Sequence, residues 1–420
     1  EHQCEACQGQ TEDSLHEKFT SCTKNPDHAL FIPVTAFTIE HLPEHYRDND
    51  LFELIKVVAE LTVRIAVSKV SPNRPEFWPD TKKEYPFYKD KGQTFLRTGT
   101  GEMDLFMYKD GHGFHPTGSS YNSFTGTSYE APYKTCPCEK CQQSDKPSNV
   151  WLEIQIHTAA HVVFDEIEAQ HTSCRLFLDD HASPKVTFKK VDHEGVDFQR
   201  DKCYLKYITC DETIGKCYLK YITCDETIGK CYLKYITCDE TIGKCYLKYI
   251  TCDETIGKCY LKYITCDETI GKCYLKYITC DETIGKCYLK YITCDETIGK
   301  CYLKYITCDD TIGKRLHEAA GKKDLLWSQV LDKFGADKLT FIVSHPHGFA
   351  KQVSIGEWTE HIKVREYNED FDMTKLIYTT CTCSGSSGAR AYCVGIINSH
   401  VHNGVLTSGL NYSSVDVFRK

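Results

Sequence analysis

Residues Cys203 to Lys314 read CYLKYITCDETIGK eight times over, with copies beginning at Cys203, Cys217, Cys231, Cys245, Cys259, Cys273, Cys287 and Cys301 and one change, Asp310 for Glu, in the last. A fixed short period marks an array whose units bury apolar surface by stacking on their neighbours. Fourteen residues is much shorter than the helical repeats and corresponds to one rung of a β-coil. YLKYIT is rich in aromatic and β-branched residues, and each Gly-Lys seam is turn sequence. The expectation for 203–314 is therefore a β-solenoid, with an antiparallel meander as the alternative. The two cysteines of a unit stand seven residues apart, half a period, on opposite walls of such a coil. A bond across the interior, as from Cys203 to Cys210, would pin each rung, and a neighbour-to-neighbour ladder is the other connectivity. Cys203, Leu205 and Tyr207 share one strand face, and Tyr204, Lys206 and Ile208 the other. Cys210 has the opposite parity, so the chain turns a corner near Thr209, and Asp211-Glu212-Thr213 forms a second, solvated corner.

Working outward, the rest of the chain carries all of the net charge of −9, because each repeat holds two Lys against two acids. With 420 residues and 41% hydrophobic content there is room for more than one domain. No basic patch appears, which argues against a nucleic-acid partner, and no apolar run approaches the ~20 residues of a membrane span. Of 26 cysteines, 16 lie in the repeats. That usage points to an oxidising, extracellular setting, and a sequence opening at Glu1 is expected to be a mature form whose leader is gone.

Residues 1–57 form a Cys-bearing segment ending in a helix. Asp48-Asn49-Asp50 offers N-caps, and Leu51, Leu54, Ile55, Val58 and Leu61 share one side. TVRIAVSKV (62–70) and TFLRTGTGEMDLFMY (94–108) read as strands, the second with a Gly kink. Disulfides are the expected fate of CEAC (Cys4, Cys7) and of CPCEKC (Cys136, Cys138, Cys141), with zinc ligation the alternative. VWLEIQIHTAAH (150–161) is a strand running into a histidine. Beyond the repeat, 315–334 is an amphipathic helix with Leu325, Leu326, Val330, Leu331 and Phe334 as its buried side. Then come FIVSHPHGFAKQVSIGEW (341–358) and YTTCTCSGSSGARAYCVGIINSHVHNGV (378–405).

These stretches resemble the chymotrypsin-like (trypsin-fold) serine peptidases. TAAH after a strand is similar to their histidine motif, and Gly385-Ser386-Ser387-Gly388 to their G-x-S-G nucleophile loop. Asp201 directly precedes the alternating strand Cys203–Tyr207, as the family's aspartate does, whereas later copies have Gly-Lys there. His161 to Asp201 is 40 residues and Asp201 to Ser387 is 186; seven surplus copies account for 98 and leave 88. The family's gaps are roughly 45 and 90 in the same His, Asp, Ser order.

The resemblance implies an all-β fold with minor α, a double β-barrel formed by 58–202 and 315–420 and interrupted by the repeat. It implies a secreted endopeptidase acting on protein or peptide substrates without a cofactor or metal. His161 would be general base, Asp201 its orienting partner and Ser387 the nucleophile, with the N–H groups of Gly385 and Ser387 as oxyanion hole. His402-Asn403-Gly404 is similar to the H-x-G strand of the glutamyl endopeptidases, so His402 would line a pocket for an acidic or amide side chain. Two departures are Val162, where trypsins have a disulfide cysteine, and Arg390, which is placed to crowd the site and silence it. His345 and His347 read as turn residues, with a metal site shared with CPCEKC as the alternative. A coil of eight rungs would advance the chain by about 34 Å, and 24 residues of helix, about 36 Å, would return it along the solenoid wall. The competing function is a self-assembling structural or adhesive protein joined through solenoid ends; rows of Thr209 and Thr213 would suit an ice or mineral surface.

Overall fold

The structure is a computed structural model that describes residues 2–7, 18–116, 129–180, 182–183, 186–210, 312–335, 337–396 and 400–419, with short backbone strands inside 217–308. It is mostly β-sheet with few helices. A nine-stranded sheet takes in Thr62–Val67, Leu96–Lys109, Val150–Thr158, Thr172–Leu176 and Lys202–Thr209, and an eight-stranded sheet Leu339–Ser344, Gln352–Glu366, Phe371–Tyr378 and His402–Val405. Each has its own apolar core. Val63, Ile65, Met103, Leu105, Ile154, Ile156 and Leu205 fill the first, and Phe341, Val343, Val353, Tyr392 and Val394 face the second.

The helix Asn49–Leu61 forms as its sequence dictates. The Asp48 carboxylate accepts from the N–H groups of Asp50 (2.9 Å) and Leu51 (3.2 Å), satisfying two of the orphan donors at a helix start. Leu51, Leu54, Ile55, Val58 and Leu61 are all buried. The helix Ile312–Phe334 packs beside it instead of along a solenoid wall. Leu316, Ala319 and Ala320 enter the first core; of the expected buried side Val330 enters the second core and Leu326 and Phe334 pack against it, whereas Leu325 is exposed. Two formed cores offer this apolar stripe more surface than a single repeat strand does. A buried ion pair helps fix it: Lys323 Nζ lies 3.1 Å from Glu102 Oε1.

The first repeat copy belongs to the body. Lys202–Thr209 lies between Val150–Thr158 and Asp192–Asp197, with Cys203 opposite Thr158 and both Cys203 and Leu205 buried. Within 217–308 every described pair is antiparallel, as in Cys224↔Cys231, Ile264↔Leu275, Cys294↔Cys301 and Cys217↔Cys308. A coil would pair in parallel at a 14-residue offset, and no such pair occurs among the described residues. Three of these pairings are local, since YITCD and KCYL flank turn sequence and a short reversal needs no long loop closure, whereas Cys217–Asp225 pairs with the distant Lys300–Cys308. The corners expected at 211–213 lie outside the described residues.

Candidate active site

Three distant segments meet where the two sheets face one another. The strand Val150–Thr158 ends, and the chain then turns to bring His161, fully buried, toward the start of the neighbouring strand Lys202–Thr209. Asp201 receives it. One carboxylate oxygen accepts the backbone N–H of His161 at 3.0 Å, and the other lies 2.7 Å from Nδ1. Asn403 donates to that second oxygen from Nδ2 at 2.5 Å. With Nδ1–H bound to a carboxylate, the lone pair of a neutral imidazole is on Nε2, and His161 Nε2 is buried with no hydrogen-bond partner among the described residues. Asp201 itself sits at φ 53, a left-handed conformation that Asp tolerates better than most residues.

Ser387 arrives on a loop that only glycine can shape. Gly385 and Gly388 have φ of +92 and +89. A Cβ on Gly385 would stand 2.5 Å from the His345 carbonyl oxygen, and one on Gly388 2.2 Å from Thr158 Oγ1. Ser387 Oγ donates to the Asn403 carbonyl at 3.1 Å. Asn403 therefore joins Ser387 to the Asp201–His161 pair.

The chain's own N-terminal residues run through this cleft. The carbonyl oxygen of Gln3 accepts from Gly385 N–H at 2.6 Å and from Ser387 N–H at 3.3 Å. Its N–H points to the Asn403 carbonyl (3.4 Å) and to Ser387 Oγ (3.2 Å). The side-chain oxygen lies 2.7 Å from His402 Nε2 and 2.6 Å from Thr382 Oγ1. His2 forms a bridge with Gly404, stacks on Trp78 and lies 4.8 Å, ring to ring, from His161.

His402 is wholly buried, and burial above all, with Lys24 nearby, holds it well below the usual histidine range. The neutral ring has one donor to give. Tyr378 Oη, 2.6 Å from Nδ1, has burial pushing its own ionisation well up, so it stays a hydroxyl and donates there. Nε2–H is left to donate into the pocket.

The residues beneath the histidine turn were not singled out in the sequence. Arg74 grips both Glu168 oxygens at 2.7 Å and donates to the His161 carbonyl at 3.1 Å; Arg97 reaches Glu168 at 2.9 Å and the Val162 carbonyl at 3.2 Å. Arg in 72-PNRP and Glu in DEIEA carry no local signature, because their pairing spans 94 residues. Arg390, expected to crowd the cleft, instead turns to Glu102, which also takes Lys323 and the Tyr392 hydroxyl. His345 donates from Nδ1 to the Phe349 carbonyl (2.7 Å) as a turn residue. The disulfide expectation needs correction among the described residues: Cys22 and Cys383 sulfurs are 3.5 Å apart, and Cys210 stands 3.3 and 3.6 Å from Cys141 and Cys138. A disulfide requires about 2.05 Å. No known protein family and no curated protein sequence matches the chain.

Proposed function

We propose that this chain is a serine endopeptidase of the chymotrypsin type, its two sheets standing for the two barrels of that fold, which cuts after glutamine or glutamate. The observation that carries this is the seating of Gln3, whose carbonyl oxygen faces two N–H donors while its side chain meets His402 and Thr382. A substrate acyl residue needs both contacts at once: donors for the oxygen that becomes negative, and a pocket that fixes the side chain.

In this mechanism Ser387 Oγ turns from Asn403 toward His161, gives its proton to Nε2 and bonds to the carbonyl carbon. Asp201 holds the ring and favours its charged form. The Gly385 and Ser387 N–H groups stabilise the oxyanion, a contribution of about 3 kcal/mol per donor. The C–N bond then breaks as His161 returns the proton to the leaving amine, and water releases the acyl group by the reverse sequence. Glutamine suits the pocket because a neutral amide oxygen accepts both donors without burying charge; glutamate is its isostere, with Lys24 close by.

A fluorophosphonate that phosphonylates active serines tests the proposal. Full-length chain should be modified at Ser387, and more rapidly in Gln3→Ala, where the occupying side chain has lost its pocket bonds. His161→Ala should not label. Absence of label from folded Gln3→Ala would overturn the peptidase assignment.

A further inference from the structure

Two clusters of thiols and imidazoles remain outside the cleft chemistry. Cys22, His28, His347 and Cys383 each offer a ligand atom, all within 4.8 Å of one another. Cys383 Sγ lies 3.5 Å from Cys22 Sγ and 3.6 Å from His28 Nε2. Those spacings approach the ~3.7 Å edge of a tetrahedron built on Zn–S bonds of about 2.3 Å. We propose that these four residues hold a zinc ion, which fastens the irregular stretch 18–30 to the loop bearing Ser387.

His347 supplies the independent pointer. It is 6% exposed, its Nδ1 lies 2.7 Å from Glu5 Oε2, and its Nε2 is buried with no hydrogen-bond partner among the described residues beyond the Cys22 thiol beside it. A carboxylate on one nitrogen fixes the tautomer and raises the basicity of the other, the arrangement found behind metal-bound histidines. Its backbone is held at φ 54, a costly conformation for a non-glycine residue that surrounding structure must enforce. The sulfurs are prepared as well. Asn25 donates to Cys383 Sγ from Nδ2 at 3.0 Å and to Cys22 Sγ from its backbone N–H at 3.5 Å. Two thiolates neutralise a divalent cation, so the filled site buries no net charge, and S2N2 in tetrahedral array selects zinc.

A different observation carries a second zinc site, at Cys136, Cys138, Cys141 and Cys210. CPCEKC folds into a tight knuckle in which Cys141 N–H donates to the Cys138 carbonyl at 2.9 Å, and Ser148 N–H bonds Cys141 Sγ at 3.4 Å. Cys210, at the end of the first repeat copy, closes the set from a strand of the body. Four thiolates select the same metal.

Both assignments stand whether or not the chain cleaves peptides. The test is metal content of the full chain, purified reduced with zinc and dialysed against metal-free buffer. Two zinc ions per chain are expected, one in Cys22→Ser, one in Cys138→Ser, and two again in Cys22→His, which restores a ligand. Glu5→Gln should lower zinc affinity at the first site about 10–100-fold in chelator competition. Cobalt-loaded Cys138→Ser should show the weaker thiolate charge-transfer absorption of S2N2, and Cys22→Ser the stronger one of S4. A wild-type chain without stoichiometric metal, or one with Cys22 and Cys383 joined by a disulfide, overturns the first site. Unchanged metal content in folded Cys138→Ser, or disulfides within the CPCEKC cluster, overturns the second.

Discussion

Glu168→Gln tests whether charge holds the cradle beneath His161. The Glu168 carboxylate is fully buried and takes two bonds from Arg74, one from Arg97, and the N–H groups of Ser71 and Phe164. Burial opposes its charge most strongly, but Arg97 and then Arg74 outweigh it and hold its pKa at about 2, against an ordinary 4.5. At about 1.36 kcal/mol per pH unit this displacement is worth about 3.4 kcal/mol, within the 3–5 kcal/mol typical of breaking a buried ion pair. Because the folded-state value is depressed, the contribution is complete above pH 4.5 and disappears as pH falls toward 2. Urea unfolding of wild type and Glu168→Gln should therefore differ by about 3 kcal/mol at pH 7. The gap should narrow steadily below pH 4.5. A gap of the same size at pH 3 and pH 7 would refute the charge-based account.

Three further outcomes follow from the site. Gly388→Ala combines a left-handed φ with a Cβ 2.2 Å from Thr158 Oγ1, so it should cost about 2–6 kcal/mol in a urea titration; a loss below about 0.5 kcal/mol would contradict the loop geometry. His402→Phe removes the pocket donor and should lower kcat/KM on glutamine peptides about 10–100-fold, with little change on alanine peptides. Equal losses on both would show that His402 does not read the side chain. Gln3→Ala should raise turnover of an added glutamine peptide, since the segment then competes less well for the pocket; unchanged rates at every peptide concentration would mean that residues 2–7 do not occupy the cleft in solution.

Much of this molecule is legible locally. The Asp48 cap and the 3–4 spacing of Leu51, Leu54, Ile55, Val58 and Leu61 specify a helix without reference to anything distant, and the structure builds it at Asn49–Leu61. The motif resemblance, with strands read before TAAH, after GSSG and after Asp201, likewise singled out His161, Ser387 and Asp201 at element ends, and the structure brings the three segments together. The amphipathic pattern of 315–334 announced a helix but not its neighbour, because any apolar stripe is satisfied by whichever core forms beside it. Cysteine spacing was equally mute about fate. The 26 thiols read as disulfide chemistry, yet among the described residues Cys136, Cys138, Cys141 and Cys210 gather in one cluster and Cys22 and Cys383 join two histidines in another, with sulfurs too far apart to bond.

What the sequence by itself determined is whatever depends on neighbours a few residues away: caps, strand periodicity, the glycines that a left-handed turn demands. Tertiary structure alone decided what depends on proximity between remote residues. Glu168 between two arginines, Glu5 behind His347 and the Gln3 side chain against His402 are contacts across 71 to 399 positions. No local preference encodes them, because their energy exists only once two sheets have closed and water has been excluded.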